Sequence, residues 1–234
     1  MSSLVPPRFL FRYSFPVAYN AKLPLDGKRL LALPESCVLA SPASLEGSPQ
    51  FGDLRLAWNE NGLAISVEVS GKQKPLRCDE GQLDDSDGLQ VWIDTRDTQN
   101  IHRASRFCHA MSLLPLGGGA DGSESVGLQT EIPRAKELTP IAPRGTIRVS
   151  STVRRDGYLM EAWIPAEALN AYDPEAQPRL GFYYVLRDDE LGVQTLSVDA
   201  AFPYAVDPSL WSTLELSKPE RSSRSRREKP QDGG

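Results

Sequence analysis

The stretch from Asp84 to Met111, DDSDGLQVWIDTRDTQNIHRASRFCHAM, decides the fold. Within it, GLQVWIDT (88–95) alternates: Leu89, Val91 and Ile93 point one way, and Gln90, Trp92 and Asp94 the other. A strict period of two is the signature of a strand with one buried and one wet face. An acidic turn precedes this strand, a polar loop follows it, and FCHAMSLL (107–114) reads as a second strand.

Working outward, the same pattern recurs. LRLAWNENGLAISVEV (54–69) reads as a β-hairpin, with Leu54, Leu56 and Trp58 alternating before Asn59-Glu60-Asn61-Gly62 and Leu63, Ile65, Val67 and Val69 after it. TIRVSSTVRRDGYLMEAWIP (146–165) reads as another hairpin, turning at Asp156-Gly157. LGFYYVLRD (180–188), VQTLSV (193–198) and LWSTLEL (210–216) read as further strands, and FLFRYSF (9–15) as a first one. LDGKRLLAL (25–33) reads as a turn and short strand, and PASLEGSPQFGD (42–53) as loop. PAEALNAY (165–172) predicts about two helical turns. Pro115 and Gly117-Gly118-Gly119 mark the end of the 107–114 strand, and 115–145 reads as a long surface connection. The triple glycine lacks the Lys-Ser/Thr of a phosphate-cradling loop.

This makes about nine or ten short strands with no β–helix–β alternation, which disfavours a parallel doubly wound sheet. The expectation is an all-β protein: a two-sheet antiparallel β-sandwich, immunoglobulin- or jelly-roll-like, with one short helix. One domain spans residues 1–217, its first 50 residues irregular. Residues 218–234 carry six Lys or Arg against three acids and no aromatic or aliphatic residue, which predicts a disordered basic tail.

With that tail at +3, the formal charge of -5 leaves -8 on residues 1–217. An acidic body argues against nucleic-acid binding by the folded domain. No apolar run approaches the roughly 20 residues of a membrane span. The N-terminus lacks a signal-peptide h-region, which predicts a cytoplasmic protein. The three cysteines, Cys37, Cys78 and Cys108, have no framework spacing and are expected as reduced, mostly buried thiols.

Three groups could carry chemistry. Asp84, Asp85 and Asp87 offer the dense oxygen ligands that calcium takes, or else form an Asx-type turn before the strand. Arg103, Arg106 and His109, with His102 and Cys108, could close the loop between two strands by ion pairing, or form a hydrogen-bonding rim for a polyol or carboxylate. Cys108 and His109 point to opposite faces and do not suit a shared zinc ion. Trp92 shares a face with Gln90 and Asp94, and Trp163 with Glu161. If both faces belong to one sheet, indoles beside amides and carboxylates make a surface for a sugar ring. Otherwise, the 115–145 connection covers them as a second core layer. Asp94 with Asp97, or Glu161 with an aspartate, could make an acid–base pair, so a glycoside hydrolase-like enzyme is a further alternative.

DSDGLQVWIDTRD (85–97), a strand beginning near Arg106, GYLMEAWIPAEAL (157–169) and LGFYYVLRDDE (180–190) follow one another in an order that resembles the family-nine carbohydrate-binding modules and the wider DOMON-like sandwiches. There, an acidic residue precedes an alternating strand ending in Ile/Leu-Asp. A later strand carries a Glu shortly before Ile-Pro and a short helix, as Glu161, Ile164 and Pro165 do here. The resemblance covers residues 54–216 and implies a β-sandwich, sugar binding by a pair of aromatics and a structural calcium. Where members often carry a Trp ahead of the acidic motif, this chain has Gly81-Gln82-Leu83. The leading expectation is a non-catalytic protein binding a carbohydrate or related polar small molecule through Gln90, Trp92, Asp94, Arg103, Arg106, His109, Glu161 and Trp163. The alternative is a scaffold presenting loops 96–106 and 115–145 to a protein partner.

Overall fold

A computed structural model describes residues 12–42 and 50–218. Among the described residues, eleven strands run in chain order: β1 (Ser14–Tyr19), β2 (Gly52–Asn59), β3 (Gly62–Ser70), β4 (Gly88–Asp94), β5 (Cys108–Gly118), β6 (Glu124–Thr130), β7 (Arg148–Arg154), β8 (Gly157–Pro165), β9 (Arg179–Asp188), β10 (Gly192–Thr195) and β11 (Ser212–Leu216). Among the described residues the helical pieces are three-residue 3₁₀ turns, and no helix is long and apolar enough to cross a membrane.

One sheet orders its strands β6-β5-β4-β9-β11-β1, with β10 added to β9; the other runs β1-β2-β3-β8-β7. Strand β1 belongs to both. Its Ser14–Val17 half pairs in parallel with β11, and Ala18 and Tyr19 pair in parallel with β2. Every other ladder is antiparallel. Trp58 buries its indole in the core and donates Nε1–H to the Val17 carbonyl at 3.1 Å, so the crossing strand is tied to the core by its own backbone.

The two inner faces supply the core. Leu89, Val91 and Ile93 of β4 lie beside Met111 and Leu113 of β5 and Phe182, Tyr184 and Leu186 of β9. Opposite them stand Leu56, Ile65, Val67, Met160, Ala162 and Ile164. Each large side chain buried in this way contributes about 1.5–3 kcal/mol.

Far from β1, the free edges of the two sheets also meet. A Cβ on Gly127 of β6 would lie 2.7 Å from Val149 Cγ2 and 2.8 Å from the Ile147 carbonyl of the β7 side. Ser125 Oγ donates to the Pro115 carbonyl at 3.0 Å and lies 3.0 Å from Ser151 Oγ, lacing β5, β6 and β7 together. The sandwich is therefore nearly closed on itself.

Four expectations change. The 115–145 stretch is not one connection. Strand β5 runs on through Pro115 to Gly118, and β6 follows as the second arm of a hairpin. Proline cannot donate to the ladder, so the register breaks between Leu114 and Gly118, and Gly117 (φ +103°) absorbs the bulge. Residues 25–33 form no strand, because the N–H groups of Leu30 and Ala32 bond the Glu161 carboxylate instead of a neighbouring backbone. Only a 3₁₀ turn, Ala166–Ala168, replaces the expected two helical turns; so short a segment cannot offset the cost of helix nucleation. The first strand lies at 14–19; most of the 9–15 run, and the tail beyond Lys218, fall outside the described residues.

Gly127→Val tests the closure. Overpacking against Val149 and the Ile147 carbonyl should destabilise the protein by about 1–3 kcal/mol in urea unfolding, and an unchanged midpoint would show that the edges are free to part.

Candidate ligand-binding groove

The outer face of β4 carries Gln90, Trp92 and Asp94. Their cross-strand neighbours are Ser112, Ala110 and Cys108 on β5 and Val185, Tyr183 and Gly181 on β9. Thr130 of β6 lies beyond Ala110. On this face a groove of about 260 Å³ is lined by Asp84, Gln90, Trp92, Ser112, Thr130, Glu131 and Ala205 among others. Asp84 Oδ1 accepts from Gln90 Nε2 at 2.7 Å, which fixes the carboxamide and leaves its oxygen uncommitted by that bond.

Trp92 is only 7 % exposed. What covers it is Tyr204, set edge-on at 5.4 Å and 71°. Tyr204 in turn stacks on Tyr183 at 4.7 Å. Tyr183 donates its hydroxyl to the Val198 carbonyl, and Trp211 Nε1 donates to the Tyr204 carbonyl at 2.8 Å. These bonds pin the 198–211 segment over the sheet. Burial raises the Tyr204 phenol above its ordinary value, against the pull of nearby Arg187. The cover comes from 198–211, not from the 115–145 region.

The other expected site residues go elsewhere. Asp94 is buried and accepts from the N–H groups of Arg96 (2.9 Å) and Thr98 (2.6 Å), so it closes the turn after β4. Burial raises its pKa, with those N–H groups opposing. Trp163 is 3 % exposed and lies on the outer face of the other sheet, beneath Leu23, Leu31, Leu33 and Cys37. Glu161 shares that face, where Arg29 grips it at 2.6 and 3.1 Å and Leu30 and Ala32 donate backbone N–H. Burial would raise the Glu161 pKa, but Arg29 and those N–H groups outweigh it and hold the carboxylate below its usual range. The two tryptophans therefore sit on opposite outer surfaces and form no shared platform.

Arg103 donates to the Arg134 carbonyl at 2.9 Å, tying the 96–106 loop to the 131–147 connection. Arg106 and Arg96 both stack on Phe107 at 5.1 Å. His109 points inward: its neighbour across the ladder is Ile93, and Gln129 Nε2 donates to its Nδ1 at 3.2 Å. Its Nε2 has no hydrogen-bond partner of good geometry among the described residues. Desolvation pushes His109 down to about 4, with slight opposition from the Asn170 backbone.

In the acidic turn, Asp84 and Asp87 are committed to partners other than a metal ion. Asp84 is turned to Gln90. Both Asp87 oxygens are taken, one by the Asp189 N–H (2.7 Å), the other by the Arg77 N–H (3.0 Å) and Lys72 Nζ (3.3 Å). The buried Lys72 ammonium also bonds Asp188 at 2.6 Å. Burial disfavours this charge, but Asp188 and Asp87 outweigh it and hold the lysine above its ordinary value. No three acidic, imidazole or thiol groups converge among the described residues. The turn does not fit a shared divalent ion, because a tethered ammonium already supplies the positive charge.

Of the residues singled out in the sequence, Asp84, Gln90 and Trp92 line this groove; Ser112 and Thr130, not singled out, join them, and Tyr204 and Tyr183 pack over Trp92. Tyr204 lies in AFPYAVDPS (201–209), which has no periodicity to reveal it.

No protein-family model matches the sequence, and no curated protein matches it. Solved structures do match the fold. A family 9 carbohydrate-binding module from Caldicellulosiruptor kristjanssonii, in complex with cellotriose, is 14 % identical over 91 % of this chain and 97 % of its own, with a TM-score of 0.54. The corresponding complex with glucose gives 14 % identity, 90 % and 100 % coverage and a TM-score of 0.53. A Bacteroides uniformis protein assigned to carbohydrate binding by name only gives 11 % identity, 88 % and 99 % coverage and a TM-score of 0.57. At such identities the likeness shows the fold alone: a β-sandwich similar to that of the family 9 carbohydrate-binding modules.

Two stability predictions follow from the buried ionisable groups. The unfolded chain protonates His109 near its ordinary pKa of 6.5 while the folded chain resists down to about 4, so stability is lost as pH falls through that window. Between pH 7 and 4.5 the loss should be about 2–3 kcal/mol by urea unfolding, and His109→Leu should flatten it; equal slopes in both proteins would contradict this. Lys72→Met strands two buried carboxylates and should cost about 3–5 kcal/mol in the same measurement at pH 7.

Proposed function

We propose that this protein binds a carbohydrate or a related polar small molecule in the groove over Gln90 and Trp92. The observation that carries this reading is the pairing of an aromatic wall with a pre-oriented amide. The narrow open strip of Trp92, held in place under Tyr204 and flanked by Leu83, Ala110 and Pro133, offers apolar surface to the C–H face of a ring. Beside them, Gln90, Asp84, Ser112 and Thr130 offer hydrogen-bonding groups for hydroxyls. At about 260 Å³ the groove suits one ring better than an extended chain, since drug-sized ligands fill roughly 300–1,000 Å³.

Binding rather than hydrolysis is favoured by what the carboxylates do. Asp94 and Glu161 are consumed by backbone N–H groups and Arg29, and Asp97 is held by Thr213 at 3.0 and 3.1 Å. None of them faces another across an open cleft, as paired acid–base chemistry requires. The relatives in fold were captured with cellotriose and with glucose, and those two sugars are the natural first probes.

Calorimetric titration of glucose and cellotriose is expected to give saturable binding. Gln90→Ala and Trp92→Ala should each weaken it at least about tenfold, the scale of a lost hydrogen bond or stacking partner. Trp163→Phe, on the opposite surface, should leave it unchanged. No binding across a panel of neutral sugars, or full binding by both groove variants, would defeat the proposal.

A further inference from the structure

A second cavity, of about 430 Å³, opens where the 96–106 loop meets residues 197–212 and the approach to β1. It shares no lining residue with the Trp92 groove. Its floor holds Ser197 and Ser212, 5 % and 7 % exposed, beside Val198 and Trp211. Neither serine hydroxyl makes a hydrogen bond among the described residues. Neither hydroxyl is sealed off from the cavity, so both are free to bond water or a ligand there.

The rim has a different chemistry. Arg12 and His102 line it, and both are hydrogen-bonded to neighbouring side chains. Gln99 Oε1 accepts from Arg12 Nη1, and Gln99 Nε2 donates to Asp97 Oδ1 at 3.1 Å. His102 Nδ1 lies 3.1 Å from Asp207 Oδ2 and 3.1 Å from Ser209 Oγ. The Ser209 hydroxyl proton is already given to Asp207 Oδ1 at 2.6 Å, so both oxygens facing Nδ1 act as acceptors. Nδ1 therefore carries the proton, and the opposite ring nitrogen is left for a ligand. Asp97, which holds Gln99, and Asp207, which holds His102, are not among the residues that line the cavity.

We propose that this cavity is a second binding site, taking a small hydroxylated ligand that carries one carboxylate or phosphate. The guanidinium fork of Arg12 receives the oxyanion, and the free ring nitrogen of His102 beside it accepts from a ligand hydroxyl. The floor serines receive ligand hydroxyls, and Trp211, Leu210 and Val198 supply the apolar wall. The volume lies within the range of ordinary small-molecule sites. This assignment is independent of the Trp92 groove, which binds a neutral ring in the reading above.

Titration of the full chain with glucuronate, glucose 6-phosphate, inorganic phosphate and glucose tests it. One or both acidic sugars should bind saturably, and which of them does so separates a carboxylate from a phosphate ligand. Arg12→Gln should weaken that binding about tenfold or more, and Ser212→Ala should weaken it while Trp92→Ala leaves it intact. Excess glucose should not displace the acidic sugar. The proposal is overturned if neither acidic sugar binds, if Arg12→Gln binds them as well as the parent, if inorganic phosphate alone binds as tightly, or if glucose competes on equal terms. Loss of glucose binding in Trp92→Ala speaks only to the groove.

Discussion

The groove over Trp92 follows from a constraint on β4: its apolar side chains have to face the opposing sheet. Leu89, Val91 and Ile93 are fully buried between two strands of the same sheet and the inner face of the other. A slip of one residue would drive Gln90, Trp92 and Asp94 into the core, so the register has no alternative. Once it is set, the outward positions of β5, β6 and β9 fall beside those of β4. The groove is thus a by-product of core packing, and it stands on rigid strands.

The charged groups that look most chemical in the sequence mostly hold the structure together. Glu161 receives Arg29 and two backbone N–H groups; Asp87 and Asp188 share Lys72; Asp94 closes its own turn. An ionised carboxylate can be buried only where donors replace its lost hydration. Each of these sites meets that demand with backbone N–H groups, most of them joined by a cation, and keeps no oxygen over for a substrate. His109 meets it differently, by staying neutral.

The aromatic groups divide between two covers. On one sheet, residues 20–39 lie over Trp163 and convert it into a second small core. On the other, the 198–211 segment lays Tyr204 over Trp92 but stops short of Gln90 and Ser112, leaving a groove. Which tryptophan meets a ligand is decided by where each covering segment ends.

Periodicity along 54–69, 88–95, 146–165 and 180–188 is local information, and those strands, their inward residues and the two-layer sandwich could all be read from the sequence. So could the shared face of Gln90 and Trp92, because neighbours on a strand carry that information themselves. Strand β6, the continuation of β5 through Pro115, and the nest that Leu30 and Ala32 form around Glu161 could not. Their backbone conformations are set by partners many residues away, which propensity does not see. The separation of Trp92 from Trp163, the arrival of Tyr204 and the meeting of Arg12 with His102 and Ser212 belong to the tertiary structure alone. Alternation tells which side of a strand a residue takes, whereas only packing tells which sheet that side belongs to and what lies on top of it.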